Sequence, residues 1–266
     1  QRVQTAFRKQ IVDAWGIPQG AKVLEIGCGQ GDLTAVLAHA VGPAGHVTAC
    51  DLASPEYGAP ITLGESTGHL QRSPLGARIT FHLQYDVLAG ESTFPDDRFD
   101  YVVFAHCSWY FDSLERLRQT FSRIKPWARY LCVSEWDLIP QEMSQLAHML
   151  AVTIQGQVEA FRRESSSNVQ TPYTKNVLEG LLGDAGWNIT RSLAVDSSGL
   201  QDGQWEIDLC LSESEMEAAA LGLPERFLNL LSTQMNLLRT MADMHGKKSL
   251  PSFAVLAKRS DDFHTQ

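Results

Sequence analysis

Cysteine is scarce in this chain. Cys28, Cys50, Cys107, Cys132 and Cys210 are scattered over 266 positions with no C-x-x-C pair. That spacing argues against a disulfide framework or a cysteine zinc site and fits reduced thiols in a cytoplasmic setting. Positive charge is also short, with 22 Lys plus Arg against 31 Asp plus Glu and a net charge of −9. The basic clusters are bare pairs, Arg162-Arg163, Lys247-Lys248 and Lys258-Arg259. A polyanion must be met by clustered cations, so no nucleic-acid partner is expected. No apolar run approaches the roughly 20 residues of a bilayer span, so no membrane partner is expected, and no signal peptide opens the chain. It starts at Gln1 rather than Met, and residues upstream are expected. Internal repeats and low-complexity tracts are absent.

What is there suits a substantial buried core: 44% of residues are apolar and 9% aromatic. The apolar spacing of Phe7, Ile11, Val12 and Trp15 predicts a helix over 5–15, ended by Gly16 and Pro18. Strands are expected at 22–26, 46–50, 78–84, 99–107 and 129–136. Helices are expected between them at about 32–40, 62–72 and 113–124. This alternation indicates crossovers and a parallel sheet covered on both faces.

The pattern then changes. Residues 141–163 read as a helix with no strand behind it, followed by a helix at 176–186 and a strand at 187–195. The last strand is expected at 252–259. More than fifty residues separate these two strands, whereas a hairpin needs roughly 2 to 5. The excess holds a capping-box start at Ser212 and Glu215 and a long helix from Pro224 to His245. Residues 1–139, 172–200 and 250–260 thus form a core domain. Segments 140–171 and 201–249 are expected to be helical insertions capping a substrate site. The stripe Leu228, Leu231, Met235 and Leu238 reads either as docking that insertion on the sheet or as a substrate wall.

The most informative stretch is "VLEIGCGQGDLT", a strand breaking into a turn with Gly27, Gly29 and Gly31. Glycine lacks a Cβ, so the backbone can approach a ligand closely. The G-x-G-x-G spacing differs from the dinucleotide fingerprint G-x-G-x-x-G. Glu25, at the strand end, would repel a pyrophosphate and welcome a cationic amine. Asp51 ends the second strand, where an acid accepts ribose hydroxyls. Asp86, expected at the end of the third, can accept from an adenine amine. Amine, ribose and adenine in that order describe S-adenosylmethionine. The alternatives are a helix-capping Glu25 and ordinary turn acids at Asp51 and Asp86.

With "TACDLA", "QYDVL", "FDYVVFAHCSWYF" and the final "FAVLAKR", the chain resembles the class I, seven-stranded S-adenosylmethionine-dependent methyltransferases. The resemblance covers residues 5–136, and 172–196 with 250–259 more loosely; the insertions fall outside it. It implies an α/β fold with a doubly wound, mostly parallel seven-stranded Rossmann-like sheet. It also implies that Gly27, Cys28, Gly29 and Gly31 wrap the methionine part, with Glu25 placing its amine. Asp51 and Leu52 would take the ribose side, Asp86 and Val87 the adenine, and the His106 backbone would face the amine. The product would be S-adenosylhomocysteine.

The acceptor is expected to be a small organic molecule, methylated at O, N or C by in-line displacement. A base is needed only where the acceptor carries a proton that must leave, and His106 is the candidate, with a backbone or structural role as its alternative. No metal is called for. Trp109, Tyr110, Trp136, Tyr173 and Trp205 are candidate acceptor contacts, offering faces for stacking or cation–π attraction. Packing is the alternative for the run Trp109-Tyr110-Phe111, and the expected role for Cys107. Rival readings are a protein or RNA methyltransferase, a protein of this fold that binds the cofactor without methylating, and a nicotinamide enzyme. Monomer and homodimer are both compatible with the sequence.

Overall fold

The computed structural model describes residues 2–90, 93–165 and 167–260. Seven strands form one sheet in the order β3-β2-β1-β4-β5-β7-β6. They are β1 (Lys22–Ile26), β2 (His46–Cys50), β3 (Ile79–His82), β4 (Phe99–Ala105), β5 (Ala128–Trp136), β6 (Trp187–Val195) and β7 (Ser252–Arg259). The first five run parallel, whereas β7 is antiparallel to both β5 and β6.

Strand composition explains the order. Val102, Val103 and Phe104 in β4 are fully buried, as are Leu131, Cys132 and Val133 in β5. Continuous apolar runs of this kind belong in the middle of a parallel sheet with both faces covered. At the edge, β6 exposes most of its residues, in keeping with Asn188, Thr190 and Arg191 on it.

The helices over the sheet are α1 (Arg2–Trp15), α2 (Asp32–Val41), α3 (Leu63–Gln71), α4 (Leu114–Ile124) and α6 (Lys175–Asp184). Each buries one stripe. In α4 it is Leu117, Thr120, Phe121 and Ile124, and the Ser113 hydroxyl caps the helix by accepting from the Arg116 N–H. The Trp187 indole N–H donates to the Phe121 carbonyl at 2.9 Å, joining α4 to β6.

A second apolar cluster lies outside this core. It brings together α5 (Leu146–Glu159), α7 (Asp202–Ala220) and α8 (Glu225–His245) through Ala151, Ile154, Ile207, Cys210, Leu231, Met235 and Leu238. The stripe of α8 therefore faces other inserted helices rather than the sheet. Leu228 is partly buried at its margin. Two expectations need correction here. Ser212 does not open a helix: α7 begins ten residues earlier, at Asp202, and the Ser212 hydroxyl donates to the Leu209 carbonyl at 3.0 Å. Burial of Gly203, Ile207 and Cys210 carries the helix through a local start signal. The third strand ends at His82, and Gln84 takes a positive φ of 57°, so Asp86 sits in the turn beyond the strand.

Candidate active site

The carboxyl ends of β1, β2 and β4 stand level. Ile26 is paired with both Cys50 and Phe104. The next residues extend the ladder by one step. Gly27 N–H and Cys28 N–H both donate to the Cys50 carbonyl, Asp51 N–H to His82 and His106 N–H to Ser134. Gly27, Asp51 and His106 are thereby brought to one edge, the place where open α/β sheets bind ligands.

The glycine turn is shaped for close approach. Gly27 has φ of 73°, and a Cβ there would lie 2.7 Å from the Cβ of Cys107. Gly29 has φ of 51° with nothing within 4 Å of its missing Cβ, so its backbone borders open space. Asp51 ties the turn to β2. One carboxylate oxygen accepts from Gly29 N–H at 2.8 Å, and the other from Ala53 N–H at 2.9 Å. Each oxygen keeps a further lone pair.

Glu25 is 2% exposed, yet it borders the same cavity. Its Oε2 accepts from the Thr34 hydroxyl at 2.6 Å. Burial pushes its carboxyl up to about 8, against the opposing pull of Thr34 and the Arg8 charge. A buried carboxyl held this way gains from a cation brought beside it. Asp86 accepts from Leu88 N–H at 2.8 Å and pairs with the Arg116 guanidinium at 3.2 Å.

His106 adopts a left-handed φ of 50°, a strained conformation for a side-chain-bearing residue and one found at functional sites. Its ring nitrogens face protein. Nδ1 lies 3.4 Å from the Glu135 carboxylate and Nε2 lies 3.4 Å from the Ser252 hydroxyl. Glu135 is 1% exposed and heads a buried polar chain. Its oxygens accept from Ser108 N–H, Ser108 O–H and Trp136 N–H, and the Ser108 hydroxyl bonds the Tyr173 hydroxyl.

A cavity of about 1280 Å³ lies at this edge. Its wall includes Glu25, Gly27, Cys28, Gly29, Asp51, Leu52, Asp86, Val87 and His106, nine of the ten expected cofactor residues. Gly31 stands behind it, with Leu70 3.1 Å from its missing Cβ. Such a volume exceeds the usual 300–1,000 Å³ of a single-ligand pocket, leaving room for a second molecule.

Of the five aromatics expected at the acceptor, Tyr110 lines this wall, and Trp109, Trp136, Tyr173 and Trp205 do not. Trp109 and Tyr173 are each 3% exposed and meet edge to face. Trp136 packs against Phe7, His106 and His148. Trp205 points to solvent from the first turns of α7, 58% exposed. The first insertion contributes Thr153, Gln157, Arg162 and Asn168 to the wall, whereas the second backs α5 without reaching it. Sequence reasoning did not single out Arg8, Tyr57 or Arg116, all on the wall. No motif marks them; only the fold brings them there.

Strand order with a reversed seventh strand, and a glycine turn after β1 with an acid just past β2, define a class I methyltransferase fold. Comparison with known proteins agrees. The chain matches the methyltransferase-domain family over residues 1–192 and belongs to it. It is 29% identical over 250 residues to methyltransferase phomM' of Diaporthe leptostromiformis, covering 79% of this chain, and spans 64% of that protein's length. It is 26% identical over 200 residues to a ubiquinone/menaquinone biosynthesis C-methyltransferase of Vibrio parahaemolyticus, covering 71% of this chain and 73% of that one. Among solved structures, a cyclopropane-fatty-acyl-phospholipid synthase-like protein of Lactobacillus casei superposes with a TM-score of 0.85 and 37% identity. That match covers 97% of this chain and 91% of the other. The cofactor of this class is S-adenosylmethionine, and the buried Glu25, the open backbone at Gly29 and the acids Asp51 and Asp86 on the same wall fit it.

Among the described residues no helix is long and apolar enough to cross a membrane, and no group of three His, Cys, Asp or Glu side chains forms a metal cluster.

Proposed function

We propose that the protein transfers a methyl group from S-adenosylmethionine to an O, N or C atom of a small organic acceptor. The observation that carries this reading is that Glu25, Asp51 and Asp86 line one cavity with the glycine turn, a cavity with room for a second molecule. The cofactor supplies the activated methyl and a leaving group that becomes neutral; the chain's residues align, desolvate and hold. Glu25 would hold the amine, Asp51 the ribose hydroxyls and Asp86 with Val87 the adenine edge. The Gly27–Gly31 backbone would lie along the methionine part, beside Cys28, and Leu52 would pack beside the ribose.

The acceptor half has a rim of exposed apolar side chains. Tyr57 is 46% exposed and Tyr110 42%. This rim favours an apolar or aromatic acceptor, with Tyr110 as a contact. The C-methyltransferase and the fatty-acyl-phospholipid synthase-like protein among the similar proteins add support for an apolar carbon acceptor. The residues after α5 cap this half, held from behind by α7 and α8. Arg162 carries the tie, 2.9 Å from Glu159 of α5 and 3.1 Å from Glu217 of α7. His106, with both ring nitrogens turned to Glu135 and Ser252, serves best by its backbone and ring edge rather than as a base. The surface charge disfavours polyanionic acceptors.

The test is turnover. Radiolabelled cofactor is offered with aromatic, quinone-like and unsaturated acyl acceptors, and with bulk protein and RNA. Transfer to a small molecule with matching S-adenosylhomocysteine is the expected result. Label only in macromolecules overturns the small-acceptor reading, and tight cofactor binding with no product identifies a binder that does not methylate.

A further inference from the structure

The methionine end of S-adenosylmethionine is a zwitterion. Glu25 answers its ammonium, and its carboxylate calls for a cation. Among the described residues the cavity wall holds four permanent cations: Arg8, Arg116, Arg162 and Arg163. Three are stationed elsewhere. Arg116 pairs with Asp86 at the adenine end. Arg162 is held between Glu159 and Glu217 of the inserted helices, and Arg163 follows it. Arg8 alone stands at the glycine turn. Its Nη2 lies 3.4 Å from Asp32, the residue after Gly31, and its charge acts on the Glu25 carboxyl.

The side chain is prepared for such a role. Nη1 donates to the Gln4 side-chain oxygen at 2.8 Å and to the Gln4 carbonyl at 3.3 Å, which fixes the fork from behind. Gln4 is in turn held by Asp202 of α7 at 2.9 Å. The side chain is 26% exposed and lines the cavity. A planar fork with five donors matches a carboxylate in a way a lysine cannot.

We propose that Arg8 receives the carboxylate of the cofactor's methionine, making α1 a wall of the cofactor site. The inference rests on the S-adenosylmethionine reading above. It assigns α1 a function that the glycine motif does not contain: selecting a cofactor that still carries its amino-acid carboxylate.

Decarboxylated S-adenosylmethionine tests this, because it keeps the amine, sulfonium, ribose and adenine and lacks only the carboxylate. Titration calorimetry on the wild-type protein is expected to show it binding about 10- to 100-fold more weakly than S-adenosylmethionine, the size of a lost charge-assisted pair. Arg8→Ala is expected to weaken S-adenosylmethionine by a similar factor and leave the decarboxylated form unchanged. Arg8→Lys should fall between, and Lys9→Ala, on the outward face of the same helix, should change neither. Equal weakening of both ligands by Arg8→Ala, or a wild-type protein that does not distinguish them, overturns the proposal. Should Arg8→Ala fail to fold, the wild-type comparison and Arg8→Lys still decide. Failure of the wild-type protein to bind either ligand overturns the proposal together with the reading beneath it.

Discussion

At the scale of single residues, Glu25 departs far from ordinary carboxylate behaviour. Its carboxyl is held up to about 8 in the fold, against an ordinary 4.5, chiefly because burial disfavours the charge. A raised value means its stabilising contribution is complete below pH 4.5 and is lost as pH rises through about 8. The ligand-free protein is therefore expected to lose stability across that window, by at most about 1.4 kcal/mol per pH unit. Glu25→Gln keeps an acceptor for Thr34 and should flatten that slope in denaturant melts taken at several pH values. A cation bound beside Glu25 should flatten it too. Gly27 gives the steric counterpart. Ala there would put a methyl 2.7 Å from Cys107 at a φ of 73°, so Gly27→Ala is expected to cost about 1–3 kcal/mol of stability and to impair cofactor binding. Asp51→Ala removes the acceptor for Gly29 N–H and loosens the turn. It should raise the cofactor Kd about tenfold or more by calorimetry.

At the scale of elements, α5 and α7 are joined to the start of β7 through buried polar contacts. Leu250 N–H, just before β7, donates to His148 Nδ1 of α5 at 2.8 Å. Gln145 donates to the Ser249 carbonyl, and the Ser249 hydroxyl accepts from Gly203 N–H at the start of α7. His148 is 1% exposed, and burial lowers its pKa to about 3 from 6.5. The unfolded chain takes up a proton first as pH falls, so His148 favours the fold above about pH 6.5 and opposes it increasingly down to about 3. His148→Asn, which retains an acceptor for Leu250, is expected to lessen acid sensitivity between pH 6.5 and 4 in thermal melts. The start of α7 shows why a local signal failed. Ser212 with Glu215 reads as a capping box, but burial of Ile207 and Cys210 against α5 and α8 draws the preceding turns into the helix. Tertiary packing outweighs a cap of about 1 kcal/mol.

At the scale of the whole molecule, two apolar clusters divide the labour. The larger surrounds the sheet and sets the edge that presents Gly27, Asp51 and His106, whereas the smaller knits α5, α7 and α8 into a unit of their own. Leu238 belongs to the smaller one, is fully buried and does not line the cavity. Leu238→Ala is expected to cost about 2–5 kcal/mol in denaturant titrations. Cofactor affinity at temperatures where the protein is folded should stay within about twofold, because no buried residue of that cluster lines the cavity. A large loss of affinity would mean that the α5–α7–α8 cluster and the cofactor edge form one cooperative body.

Periodicity and a short motif carried the alternation of strands and helices, the glycine turn and the acids at its flanks, because these depend on neighbours within a few positions. Backbone conformation at Gly27 and Gly29, and the placing of Asp51 one residue past a strand, are local necessities written into "EIGCGQGD" and "TACDLA". The acceptor side was not legible in that way. Trp109, Tyr110 and Tyr173 are chemically alike in sequence, and only the fold puts Tyr110 on the cavity and the other two beneath it. Arg8 meets Asp32 across 24 positions, and Arg116 meets Asp86 across 30. Such encounters depend on how layers pack, and packing is decided by total burial rather than by any one segment.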